Sequence, residues 1–121
     1  MAELSNPIEE QQQLLRAAYE EFNARKLDAV LARFHPEVEW ANGMEGGHVF
    51  GREAVRAYWT RQWATLDPHV DPVAIYVNDE GNLTVKVHQV VRDLNGTILV
   101  DTTVHHVYRF AEGLIQRMDI A

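Results

Sequence analysis

Apolar residues recur along this chain with two different periods, and the change of period divides it. From Pro7 the spacing is helical: Ile8, Leu15, Ala18, Tyr19 and Phe22 fall on one face, with Glu10, Gln13, Glu20 and Glu21 away from it. Asn6 before Pro7, with Glu9 in the first turn, supplies an N-cap, a helix-starting proline and an acid at the positive helix end. After a break at Asn23 to Lys26, a second short helix repeats the pattern with Leu27, Val30, Leu31 and Phe34 until His35-Pro36 stops it. Glu37 to Ala41 alternates, as a short strand does. The run NGMEGGHVFG has no period and reads as a glycine-rich loop, in which Glu45 and His48 are candidates for a mobile gate. A third helix runs from Arg52 to about Leu66, with Val55, Tyr58, Trp59, Trp63 and Leu66 inward and Arg52, Arg56 and Arg61 outward. Asp67-Pro68 ends it.

Beyond Pro72 the period becomes two. A strand runs through Val77, a turn occupies Asn78 to Asn82, and two long alternating runs, LTVKVHQVVRD and TILVDTTVHHVYRF, flank Asn95-Gly96. That dipeptide favours a type I′ turn, because both residues tolerate positive φ. With Leu94 paired to Thr97, one ribbon face carries the pairs Val91/Val100, Gln89/Thr102, Val87/Val104, Val85/His106 and Leu83/Tyr108. The other face is wetter, with Lys86, His88, Asp101 and His105. Glu112-Gly113 then turns the chain into a last strand, Leu114 to Ile120. Helices followed by antiparallel strands predict an α+β fold: three N-terminal helices packed on a strongly curved, mostly antiparallel sheet that makes a cone with a pocket.

Composition narrows the possible partners. The 121 residues suit a single domain spanning 1–121. A net charge of −7, from 11 basic against 18 acidic side chains with no basic run, argues against nucleic acid and against a membrane surface. No apolar run approaches the roughly 20 residues of a membrane span, and the first residues lack a signal-peptide pattern, so a cytoplasmic protein is expected. The lack of cysteine excludes thiolate nucleophiles and disulfides.

Candidate chemistry sits on the apolar ribbon face. Gln89, Thr102 and His106 are the polar residues set into it, between Val87 and Val104, and these five are expected to meet a ligand. His106 has the ionisation range of an acid or base at neutral pH. If Glu112-Gly113 makes a two-residue turn, Asp119 lies opposite His106 and orients its ring. A core histidine is the competing reading. Tyr19, Trp40, Trp59 and Trp63 are expected to wall the pocket and Asn42 to bind a polar substrate atom, whereas Phe34 and Tyr58 read as core. No metal site is expected: His105 and His106 point to opposite faces, and His88, Asp101 and His105 are only diagonal neighbours.

Three segments, AAYEEFNARKLDAVLARFHPEVEW, GREAVRAYW and HHVYRFAEGLIQRMD, resemble the nuclear transport factor two-like superfamily, which includes the SnoaL-like polyketide cyclases and ketosteroid isomerases. The likeness spans roughly Leu14 to Asp119. It implies a deep apolar cone, no cofactor and a homodimer formed through the outer sheet face. In the same resemblance the strand carboxylate of the isomerases and cyclases matches His106, their catalytic carboxylate after the short strand matches Asn42, and their helix hydroxyl donor matches Ala18, beside Tyr19. Limonene epoxide hydrolases are similar at Trp40-Ala41-Asn42, but their arginine and aspartate correspond to Val87 and Gln89. The resemblance therefore implies a small cofactor-independent acid–base enzyme acting on a hydrophobic carbonyl compound by isomerisation, cyclisation or dehydration. Its alternatives are a noncatalytic binding or dimerising domain and an epoxide hydrolase-like water addition.

Overall fold

The computed structural model describes residues 7–43 and 45–121, so the proposed cap at Asn6 lies outside the described residues. Helix α1 (Pro7–Asn23) is followed by the short α2 (Leu27–Leu31), β1 (Phe34–Ala41), β2 (His48–Phe50), α3 (Arg52–Thr65) and four long strands. These are β3 (Leu66–Val77), β4 (Leu83–Asp93), β5 (Ile98–Ala111) and β6 (Leu114–Ile120). They form one six-stranded sheet in the order β2-β1-β6-β5-β4-β3, antiparallel except where β1 runs parallel to β6. The helices cover one face of this curved, open sheet, as the change of period predicts.

The core lies between the two layers. Leu15 of α1, Val38 of β1, Val55 of α3 and Val85 and Val87 of β4 are fully buried, each worth about 1.5–3 kcal/mol of apolar transfer. The chain reverses after α1 in a Schellman arrangement: the Lys26 N–H donates to the Glu21 carbonyl and the Arg25 N–H to that of Phe22. The left-handed position at its centre, φ 62°, is held by Arg25 rather than glycine. Its guanidinium offsets the strain by bonding Asp67 and the Pro68 carbonyl and by lying 5.0 Å over the Trp63 ring.

Three element boundaries differ from the periodicity. Helix α2 stops at Leu31, so Phe34 opens β1 instead of closing a helix, and the β1–β6 register shifts between Phe34 and Glu39, where Pro36 lies. The glycine-rich segment contains β2, paired with β1 through Trp40 and Val49. Strand β3 starts at Leu66, six residues before Pro72, because it is an edge strand and tolerates prolines; the ladder is irregular right after Pro72.

The β4–β5 ladder has the expected register, including Gln89/Thr102, Val85/His106 and Leu83/Tyr108, by a different route. Asp93 N–H donates to the Thr97 carbonyl, so the loop has three residues, with Gly96 at φ 92°. One extra residue between the Arg92/Ile98 and Val91/Val100 pairs restores the register of a two-residue turn.

Candidate functional site

Helices and concave sheet face enclose a cavity of about 380 Å³. Helical spacing delivers Ala18, Tyr19 and Phe22 from α1, and Tyr58, Trp59 and Gln62 from α3. Strand alternation delivers Val104, His106 and Tyr108 from β5, with Gln89 and Val91 from β4 and Trp40 from β1. Trp40 packs at 5.4 Å and 90° to Trp59 and stacks on Phe34, giving one wall of interlocked rings. None of the described residues lining the cavity is Asp, Glu, Lys or Arg.

One polar group in this apolar space is a chain of three side chains. Tyr19 Oη lies 2.7 Å from His106 Nδ1 and 2.8 Å from Tyr108 Oη, and all three residues are buried. Burial, reinforced by the charge of His105 on the opposite sheet face, pushes the His106 pKa down to about 4, so the ring is neutral at physiological pH. Burial likewise raises both phenols above the ordinary tyrosine range, Tyr19 further through its neighbour Tyr108. Two proton arrangements make Tyr19 one donor and one acceptor within the chain. In one, Nδ1–H donates to Tyr19, Tyr19 donates to Tyr108, and the Tyr108 proton and the Nε2 lone pair remain for a ligand. In the other, Tyr108 donates to Tyr19, Tyr19 donates to Nδ1, and Nε2–H becomes the free donor.

Of the residues expected at the site, Tyr19, Trp40, Trp59, Gln89, Val104 and His106 line the cavity. Five do not. Asp119 is set apart from His106 by a bulge: the Glu112-Gly113 turn is the two-residue one expected, but the register shifts between Arg109/Arg117 and Phe110/Ile115, so His106 faces Ile120 and Asp119 faces Val107. Asp119 instead takes two bonds from Arg117 and one contact at 2.9 Å from His48 Nε2, an outer-face cluster that holds its carboxyl below the usual range, chiefly through Arg117. Val87 is consumed by the core. Thr102 is exposed, since β6 ends opposite His106 and leaves that part of β5 without a neighbour on one side. Trp63 stacks behind Trp59 under Arg25, its Nε1 buried without a partner among the described residues. Asn42 organises its own loop, accepting the Glu45 N–H at Oδ1 and donating from Nδ2 to the Glu45 carboxylate, so neither Glu45 nor His48 is a free gate.

Tyr108, Gln62 and one face each of Phe34 and Tyr58 also line the cavity, which residue spacing alone does not single out. A signal for Tyr108 was present, because alternation puts it on the face of His106, two residues on. The two core aromatics serve core and wall together.

A SnoaL-like domain model matches residues 15–118. The chain belongs to the SnoaL-like family. Solved structures agree on the architecture. An NTF2-like protein of unknown function from Burkholderia pseudomallei superposes with a TM-score of 0.79 at 26% identity, over 98% of this chain and 91% of that one. A protein of Xanthomonas campestris named as a polyketide cyclase gives 0.78 at 23%, over 95% and 91%. TerC, co-crystallised with polyporic acid, gives 0.79 at 22%, over 93% and 90%. No curated protein matches the chain significantly. In this SnoaL-like domain the cone carries an imidazole and two phenols where a strand carboxylate was the family expectation, and no helix among the described residues is long and apolar enough to cross a membrane.

Proposed function

We propose that this SnoaL-like domain is an acid–base enzyme that moves a proton on a small, hydrophobic carbonyl compound, in the isomerase or cyclase manner. The observation that carries the reading is the Tyr108–Tyr19–His106 chain set into an apolar cavity. In the arrangement that leaves Nε2 unprotonated, the imidazole takes a proton from the carbon next to the carbonyl. The C–H electron pair becomes a C=C bond, the carbonyl pair moves onto oxygen, and Tyr108 donates its hydrogen to that oxygen. The imidazolium then returns the proton to another carbon in an isomerisation, or to a departing hydroxyl in a dehydration. In a cyclisation the enolate carbon attacks a second carbonyl, and the imidazolium protonates the new alkoxide. A ring whose pKa is about 4 is a weak base, so the substrate is one whose C–H acidity is already appreciable, such as a carbon flanked by two carbonyls or by a carbonyl and an aromatic ring.

The noncatalytic reading is favoured by the lack of any carboxylate among the described residues that line the cone. Solvent deuterium exchange separates the two. With 2-tetralone in deuterium oxide, the enzyme reading expects catalysed exchange beside the carbonyl that is lost in His106→Asn. Exchange at the buffer rate with a demonstrably bound ketone overturns it in favour of a binding module.

A further inference from the structure

The cavity lining carries two further polar side chains that the proton chemistry does not use. Gln62 of α3 and Gln89 of β4 both line it, one from the helical layer and one from the sheet. Among the described residues neither carboxamide has a hydrogen-bond partner, and both residues are half-buried, so each holds two donors and an acceptor toward the cavity or its mouth. Their amide atoms stay accessible, so a ligand's polar atom can exchange with water there.

Strand register fixes how far Gln89 lies from His106. Gln89 pairs with Thr102, and His106 is four residues further along β5, which at about 3.3 Å per residue is roughly 13 Å. Val104 lies between them on β5, and the rings of Trp40 and Trp59 line the same cavity, Trp40 6.2 Å from the Tyr108 ring. Two separated polar groups, aromatic walls and no Asp, Glu, Lys or Arg among the described lining residues describe one kind of occupant.

We propose that the cavity selects an extended, uncharged aromatic compound with a polar group at each end, one held by the His106–Tyr19–Tyr108 chain and the other by Gln62 and Gln89. An ionised group would exchange its hydration for an apolar wall with no counter-charge. The inference rests on the reading of the cone as a small-molecule site, and names the specificity of that site.

Quenching of the cavity tryptophans by three biphenyls tests it: 4-phenylphenol, with one polar end, 4,4′-dihydroxybiphenyl, with two, and biphenyl-4-carboxylate. The wild-type chain is expected to bind the diol about five-fold tighter than the monophenol, the worth of one additional hydrogen bond, and the carboxylate weakest. Gln62→Leu with Gln89→Leu should erase the diol's advantage while retaining affinity for 4-phenylphenol. Equal wild-type affinity for the diol and the monophenol overturns the proposal whether or not the variants fold. So does an advantage that survives in the folded double variant, or a carboxylate that binds as well as the phenol. Deuterium exchange by wild type without a diol preference would sink this inference alone, and a diol preference without exchange would sink only the catalytic reading.

Discussion

The buried neutral histidine ties stability to pH in a way that one substitution isolates. In the unfolded chain His106 takes a proton near pH 6.5, whereas in the folded chain it does so only near pH 4. Above about pH 6.5 both states are neutral and nothing is at stake. As pH falls below that, the unfolded state binds a proton that the folded state refuses, and stability declines until the folded-state pKa is reached. At about pH 5 the loss is about 2 kcal/mol, approaching about 3 kcal/mol below pH 4. His106→Asn keeps an acceptor for Tyr19 and removes the titration. In urea, with a slope of about 1.5 kcal/mol/M, the wild-type midpoint should drop by roughly 1 M more than that of the variant between about pH 7.5 and pH 5. Every other ionisable group is common to both proteins, so the difference between their midpoints isolates residue 106. Equal pH slopes for wild type and variant would refute a buried, proton-refusing imidazole.

Other substitutions follow from the same geometry. Tyr19→Phe strands His106 Nδ1 and the Tyr108 hydroxyl together, so urea unfolding at neutral pH should show a loss of about 1–3 kcal/mol, and exchange into 2-tetralone should fall with it. Asp119→Asn should leave that exchange at the wild-type rate, because the carboxylate bonds Arg117 and His48 rather than His106; its partly exposed ion pair is worth under about 1 kcal/mol in the same unfolding assay. Gly96→Ala meets no atom within 4 Å of its new Cβ but forces an alanine to φ 92°, and should cost about 1 kcal/mol in thermal or urea unfolding without altering ligand affinity.

The architecture was legible because period and turn chemistry agreed over long stretches. The pairs of the central hairpin from Leu83/Tyr108 to Val91/Val100 have the register that alternation with a two-residue Asn95-Gly96 turn predicts, although a three-residue loop and a compensating bulge produce it. What alternation does not carry is a bulge. The irregularity beside Gln116 moves Asp119 from the His106 rung to the Val107 rung, and no residue there announces it. Helical periodicity likewise places Trp59 and Trp63 on one face, but only tertiary packing decides that Arg25 and Phe22 close over Trp63 while Trp59 looks into the cone. The partner of His106 was missed for a related reason. Tyr19 and Tyr108 are far apart in sequence, and their meeting depends on how α1 crosses the sheet, which no local pattern encodes.

The most direct test of the account is the nitrogen-15 NMR titration of the six imidazoles, assigned by comparison with His106→Asn. The account predicts that the His106 ring stays neutral until about pH 4, and that its nitrogen shifts move on Tyr19→Phe and again on addition of 4,4′-dihydroxybiphenyl. An imidazole that titrates near pH 6.5 and ignores both the tyrosine and the ligand would contradict it.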